Sequence, residues 1–237
     1  MIRAKEPKGI YVKEFIMSLL TAFKPSLIAG IALKPVVNGA VNGPAINSEL
    51  LWDCPEPVIL FIVRRPGCPG CREHARDLCE RQKAGEFLGA KLIGVIKEIA
   101  PTKNVKTDEE LGVKEFQTIY FENNPVYYDE QNAFYKILGS RSLLSQKLHS
   151  WNPFTLYSDY KKMTKRFEAK KVAGNLKGEG IIQGGIFIIS KSQDIIYQIH
   201  EVTGSELPYD EIKKAVQDLS ASGEQVKESK TEAEPTA

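Results

Sequence analysis

The stretch "VILFIVRRPGCPGCREHA", residues 58–75, decides how the chain is read. Its six opening residues, Val58 to Val63, are apolar and β-prone, as suits a strand buried on both faces. Arg64 and Arg65 follow, Pro66 and Gly67 break the strand, and "CREHARDLCERQKAG" then has helical character, ending near Gly85. With the helix beginning at Cys68-Pro69-Gly70-Cys71, Cys68 takes the N-cap and Pro69 the first helical position, where its missing N–H has no intrahelical partner. The Cys68 sulfur then faces the unpaired N–H groups of the first turn and the positive end of the helix dipole, and both favour thiolate over thiol. Arg64, Arg65 and Arg72 add positive charge, although sequence alone does not say which of them points at the sulfur. Cys71, one turn in, is expected to be less exposed and placed to attack a mixed disulfide at Cys68. A low-pKa thiol with a resolving thiol beside it is what thiol–disulfide exchange requires.

Working outward, "KLIGVIKE" at 91–98 reads as a second buried strand and "PVYYD" at 125–129 as a third. Thr107 and Glu110 form a capping box for a helix over 108–120, and a short helix is expected around "NAFYKIL". Residues 141–172 are mixed and basic, helical in pieces. "GGIFIIS" at 184–190 and "DIIYQIHE" at 194–201 are strands joined closely enough to be an antiparallel hairpin. Ile212, Ala215, Val216 and Leu219 then recur at helical spacing, with Asp210 and Glu211 early in that helix. A βαβ half followed by a ββα half, with Cys-x-x-Cys after the first buried strand, is the order of a thioredoxin-like fold. The expected class is α/β, with a central mixed sheet flanked by helices.

Composition sets the bounds. The 237 residues are 42% hydrophobic and 26% charged, as in a folded protein. The net charge of +2 gives no reason to expect a nucleic acid partner. Residues 34–49, "KPVVNGAVNGPAINSE", read as a linker, which makes 1–49 an N-terminal extension that packs on the domain rather than touching a membrane. The domain itself is expected over 50–220. The tail "SASGEQVKESKTEAEPTA" is nearly devoid of apolar residues and is expected to be disordered over 221–237. "FIMSLLTAF" at 15–23 is too short to span a bilayer. Four cysteines are too few for a disulfide scaffold, and the close spacing of two of them favours a reducing, cytoplasmic setting.

Rival readings of the pair are a zinc site, two inert thiols and, within the same redox class, a peroxidatic site that uses only one of them. Zinc would need Cys68, Cys71, His74 and Cys79, but on a helix rising ~1.5 Å per residue Cys79 lies ~12 Å beyond Cys71, too far for bonds near ~2.3 Å. Cys54, in "WDCPEP", reads as a loop thiol, Cys79 as core, and His74 as a solvated helix histidine. "GNLKGEGIIQGG" at 174–185 lacks the spacing of a dinucleotide loop and precedes a strand. Its glycines fit close backbone approach beside the cysteine pair, leaving room for a substrate.

"LW" at 51–52, "FIVRRPGCPGCREHA" at 61–75, "GVIKE" at 94–98, "YYDEQNAFYKILG" at 127–139 and "GNLKGEGIIQGGIFIIS" at 174–190 together resemble the peroxiredoxin-like 2 family. The resemblance implies a thioredoxin-like fold of the AhpC/TSA superfamily, with Cys68 and Cys71 as the redox-active cysteines. It also implies an antioxidant or redox-regulatory oxidoreductase acting on peroxide or disulfide substrates, with no bound cofactor and with thioredoxin or glutathione as external reductant. One branch of that family reduces prostaglandin H-type endoperoxides to the F series; "RRPGC" and "GEG" look more like the antioxidant branch. The peroxiredoxin Pro-x-x-x-Thr-x-x-Cys and the thioredoxin Trp-Cys-Gly-Pro-Cys are both absent. A thioredoxin-like module that only binds or senses, its pair not catalytic, is the alternative from another class.

Overall fold

A computed structural model describes residues 20–99, 112–142, 153–175, 178–190 and 196–231. Strand β1 is Leu20–Phe23, β2 Ala32–Val37, β3 Ala40–Val41, β4 Ile46–Asn47 and β5 Val58–Ile62. Helix α1, Pro69–Lys83, leads to β6, Lys91–Ile96. A short helix α2, Val113–Glu115, runs into a wider turn, Phe116–Tyr120, before β7, Val126–Tyr128. Helices α3, Ala133–Ile137, and α4, Pro153–Ala169, precede β8, Gly185–Ile189, β9, Ile196–His200, and the last helix α5, Tyr209–Thr231.

The strands form one mixed sheet in the order β1-β9-β8-β5-β6-β7-β2-β3, with β4 beside β2. Strands β5, β6 and β7 are parallel, and β8 runs antiparallel to β5 with Phe187 opposite Leu60. The expected β8–β9 pair is antiparallel, Ile186 opposite Ile199. Because successive side chains leave a strand on opposite faces, the unbroken apolar run of β5 feeds two cores. Ile59 and Phe61 join Ala75 and Leu78 of α1, Phe116 and Phe121, and Ile212, Ala215 and Val216 of α5. Val58, Leu60 and Ile62 meet Leu33, Trp52, Phe134 and Tyr135 on the other face. This is the thioredoxin-like arrangement expected from the element order.

One expectation needs correction, and two are sharpened. Residues 34–49 are not a linker: they hold most of β2 together with β3 and β4, and Lys34, Pro35 and Val36 pair with Tyr128, Tyr127 and Val126 of β7. Asn38 and Gly39 both have positive φ, 52° and 79°, and make the two-residue turn between β2 and β3. Asn-Gly is the strongest short hairpin signal, here embedded in a run whose prolines suggest a loop. Of the 141–172 stretch expected to be helical in pieces, 153–169 form one helix, and 143–152 lie outside the described residues. The last helix does not stop at the end of its apolar stripe near Leu219 but continues to Thr231. Glu, Gln, Lys and Ala are good helix formers, and an apolar face is not needed to extend a helix already nucleated by packing. The capping box at 107–110 and residues 1–19 and 232–237 lie outside the described residues.

Candidate active site

Strand β5 ends at Ile62, and the chain turns through Pro66 and Gly67 into α1 with Cys68 at the N-cap (φ −74°, ψ 127°) and Pro69 opening the helix. Cys68 is 4% exposed and Cys71 fully buried, and the two are thiols, not a disulfide. Of the three nearby arginines, Arg64 points at the sulfur, its Nη2 donating to Cys68 Sγ at 2.8 Å. Arg65 turns away to the carbonyls of Asn175 (2.9 Å) and Gly178 (3.4 Å). Arg72 reaches Pro66 O, Ala173 O and the Glu115 carboxylate.

The cysteines titrate in opposite directions. The Cys71 thiol donates to the Cys68 sulfur and, with Arg64 beside it, holds Cys68 well below the usual thiol range against the opposing effect of burial. That same hydrogen bond, burial, and the negative charges of Cys68 and Glu201 push Cys71 well above it. A helix dipole contributes about 0.3–1 kcal/mol to a charge at its N-terminus, while a hydrogen bond to a charged group contributes about 1.5–3 kcal/mol. Arg64 therefore outweighs the dipole.

Arg64 is itself held. Its Nε lies 3.5 Å from Glu201 Oε1, its Nη1 donates to Thr203 Oγ1 at 3.3 Å, and Gln183 Nε2 donates to the same hydroxyl at 2.9 Å. Glu201 is buried at the end of β9 and accepts from Gly184 N–H at 3.2 Å. Sequence reading missed Glu201 and Thr203; the available signal was an acidic residue closing a buried strand.

The glycine-rich segment does lie against the pair, and its glycines divide the work. Asn175 N–H donates to Gly67 O at 2.7 Å, and a Cβ on Gly174 would stand 2.5 Å from Pro69 Cγ. Gly184 packs directly on Ile62 O. Gly178 and Gly180 instead line a cavity of about 660 Å3 whose wall includes Cys68. Its opposite side is α4, which contributes Tyr160, Met163, Thr164 and Phe167. The Phe167 ring lies 3.8 Å from where a Gly70 Cβ would stand. Arg166 and Lys170 fasten this region to α1, through Glu73 Oε1 at 2.6 Å and Asp77 Oδ2 at 2.8 Å.

His74 is not solvated. It is buried beside the cavity, and Nε2 lies 3.0 Å from Ser205 O; because a carbonyl only accepts, Nε2 carries the proton. Cys54 is a half-buried loop thiol near Glu56 O (3.4 Å). Cys79 sits in the core, where burial and the Glu122 carboxylate push it up to about 12. Among the described residues the four imagined zinc ligands do not gather. The cluster of ligand-type side chains that does, Glu73, Asp77 and Glu206, is already bridged by Lys170 Nζ.

The sheet is thioredoxin-like, and Cys68 and Cys71 lie at the first turn of α1. Residues 82–202 match the AhpC/TSA antioxidant enzyme family, and the matched region begins after the cysteine pair. Prostamide/prostaglandin F synthase of Salmo salar is 30% identical over 199 residues, 82% of this chain and 92% of that protein. Peroxiredoxin-like 2A of Homo sapiens is 32% identical over 156 residues, 65% of this chain and 58% of that protein. Among solved structures, Enterococcus faecalis AhpC is similar with a TM-score of 0.48 and 12% identity, covering 83% of this chain and 90% of that one. The chain belongs to the AhpC/TSA antioxidant family, of peroxiredoxin-like type. Among the described residues no helix is long and apolar enough to cross a membrane.

Proposed function

We propose that the protein is a thiol oxidoreductase that reduces peroxides, with Cys68 as nucleophile and Cys71 as resolving thiol. The observation that carries the reading is the 2.8 Å hydrogen bond from Arg64 to the Cys68 sulfur, beside a Cys71 thiol that keeps its proton. The Cys68 thiolate attacks the terminal oxygen of a hydroperoxide. An S–O bond forms, the O–O bond breaks, and the alkoxide leaves and takes a proton from water. Cys71 then loses its proton and attacks the sulfenic acid, releasing water and forming the Cys68–Cys71 disulfide. Two electrons pass from the dithiol to the peroxide, and an external thiol, of the thioredoxin or glutathione system, restores them.

The test is stoichiometric. One equivalent of hydroperoxide should oxidise both thiols of the wild-type protein, read by mass after labelling, and none of Cys68→Ser. Undiminished peroxide consumption by Cys68→Ser would remove Cys68 from the role of nucleophile.

A second reading takes an endoperoxide as substrate. It is favoured by relatives named prostamide/prostaglandin F synthase and by Met163, Phe167 and Tyr160 on the cavity wall, which suit an apolar molecule. Here the thiolate attacks one ring oxygen, the O–O bond opens, and resolution by Cys71 releases the second hydroxyl. Product analysis after a single turnover separates it from simple peroxide reduction. A binding module with a silent pair would show no disulfide after either substrate.

A further inference from the structure

Any reductant of the Cys68–Cys71 disulfide has to bring a thiolate into line with the S–S bond. Cys71 is fully buried, so attack falls on Cys68, and Cys68 is 4% exposed, at the wall of the cavity beneath α4. A protein donor presents its cysteine on a broad face, and a specific protein contact covers about 800 Å2 on each partner. In this molecule that face is already occupied. The 173–175 segment lies on the loop before Cys68, Gly174 against Pro69 and Asn175 hydrogen-bonded to Gly67, and Phe167 lies over the first turn of α1. Arg166 and Lys170 hold the covering helix down on Glu73 and Asp77. Among the described residues, an approach to Cys68 remains through a cavity of about 660 Å3, within the ~300–1,000 Å3 typical of small-molecule sites.

Charge selects among small thiols. The wall carries three guanidinium groups, Arg64, Arg65 and Arg166, and one carboxylate, Glu201, with Arg166 already paired to Glu73 behind the wall. In the reduced protein Arg64 also faces a Cys68 sulfur that favours the thiolate form. Forming the disulfide takes that negative charge away while the guanidinium stays, so the cavity becomes more positive at the moment a reducing anion is needed. The hydrogen bond and the charge of Cys68 that oppose ionisation of Cys71 vanish in the same step, which makes Cys71 a better leaving group.

We propose that the cavity is the binding site of a low-molecular-weight anionic thiol that reduces the Cys68–Cys71 disulfide directly. The inference rests on the dithiol reading above. The entering thiolate forms an S–S bond with Cys68 as the Cys68–Cys71 bond breaks, and Cys71 leaves as thiolate and takes a proton. A second thiolate attacks the sulfur of the bound donor, forming a small disulfide and returning Cys68 as thiolate. Two small thiols are oxidised to one disulfide for each dithiol restored.

The experiment uses the full chain, oxidised with one equivalent of hydroperoxide and verified as the disulfide by mass. Recovery of the dithiol is then timed with glutathione, which is anionic, with cysteamine, which is cationic, and with thioredoxin, each corrected for its thiolate fraction. Glutathione should outpace cysteamine by tenfold or more and should at least equal thioredoxin. Cys71→Ser, oxidised and given one equivalent of glutathione, should form the Cys68–glutathione adduct, and a second equivalent should release it as glutathione disulfide. Phe167→Ala, which thins the cover, should raise the thioredoxin rate relative to the glutathione rate by severalfold. Faster reduction of the wild-type disulfide by thioredoxin, or equal rates for the anionic and cationic thiols, would overturn the proposal while leaving the dithiol reading intact. Failure to form the disulfide at the outset would remove both.

Discussion

Two regions of α1 hold buried cysteines, and they behave oppositely. At the N-cap, Cys68 has a guanidinium at 2.8 Å and a thiol donor beside it, and its sulfur favours the thiolate. In the body of the helix Cys79 receives a weak hydrogen bond from Asn124 Nδ2 at 3.3 Å, faces the Glu122 carboxylate, and is pushed up to about 12. Burial is nearly the same at both sites, so burial does not decide reactivity. The difference is what faces the sulfur. At the helix start there are unpaired N–H groups and room for an arginine arriving from the preceding strand; in the middle the backbone donors are spent on the helix itself.

The largest effect that tests this contrast is loss of the nucleophile. Cys68→Ser should abolish peroxide turnover, whereas Cys79→Ser should retain it within about twofold; a silent Cys79→Ser and an active Cys68→Ser would invert the assignment. Next, Cys71→Ser should limit the protein to a single turnover and leave Cys68 as sulfenic acid or mixed disulfide, visible by sulfenic-specific labelling. Arg64→Lys keeps the charge but loses the fork that meets Cys68, Glu201 and Thr203 together. It should raise the Cys68 pKa and move the midpoint of its alkylation profile to higher pH. An unchanged alkylation profile would assign the thiolate to the Cys71 donor and the helix N-terminus without Arg64.

The smallest effect concerns stability in alkali. Cys79 has a raised pKa in the fold, so its contribution is fully present below the unfolded value near 9 and is lost as pH climbs through that value toward about 12. Cys68 is depressed and has the opposite sign: its contribution is present above the unfolded value and falls away as the pH drops through the folded one. Chemical denaturation of wild type should therefore become easier above pH 9, and Cys79→Ala should flatten that limb.

The N-cap was legible in sequence because it is local. A buried strand, a Pro-Gly break and Cys-Pro-x-Cys fix the position of Cys68 within a dozen residues, and the order of the later elements fixes the fold. What was not legible depends on residues distant in the chain. Glu201 and Thr203 come to Arg64 from the end of β9, and Phe167 comes to Gly70 from α4. His74 is adjacent to the motif, yet its burial is decided by Ser205. Asn38-Gly39 carried a local hairpin signal, but a strand containing Pro35 is recognisable only once β7 is known to lie beside it.

The two outer positions of the sheet both come from residues 20–41, β1 on β9 and β2–β3 on β7. Leu20 pairs with Ile199, so the first described strand has no partner until residues 196–199 have left the ribosome. Strand β2 can close on β7 much earlier. Assembly during synthesis therefore begins on the β5–β6–β7 side, β2 covers the β7 edge, and β1 is drawn in last, covering the β9 edge that would otherwise template pairing between chains.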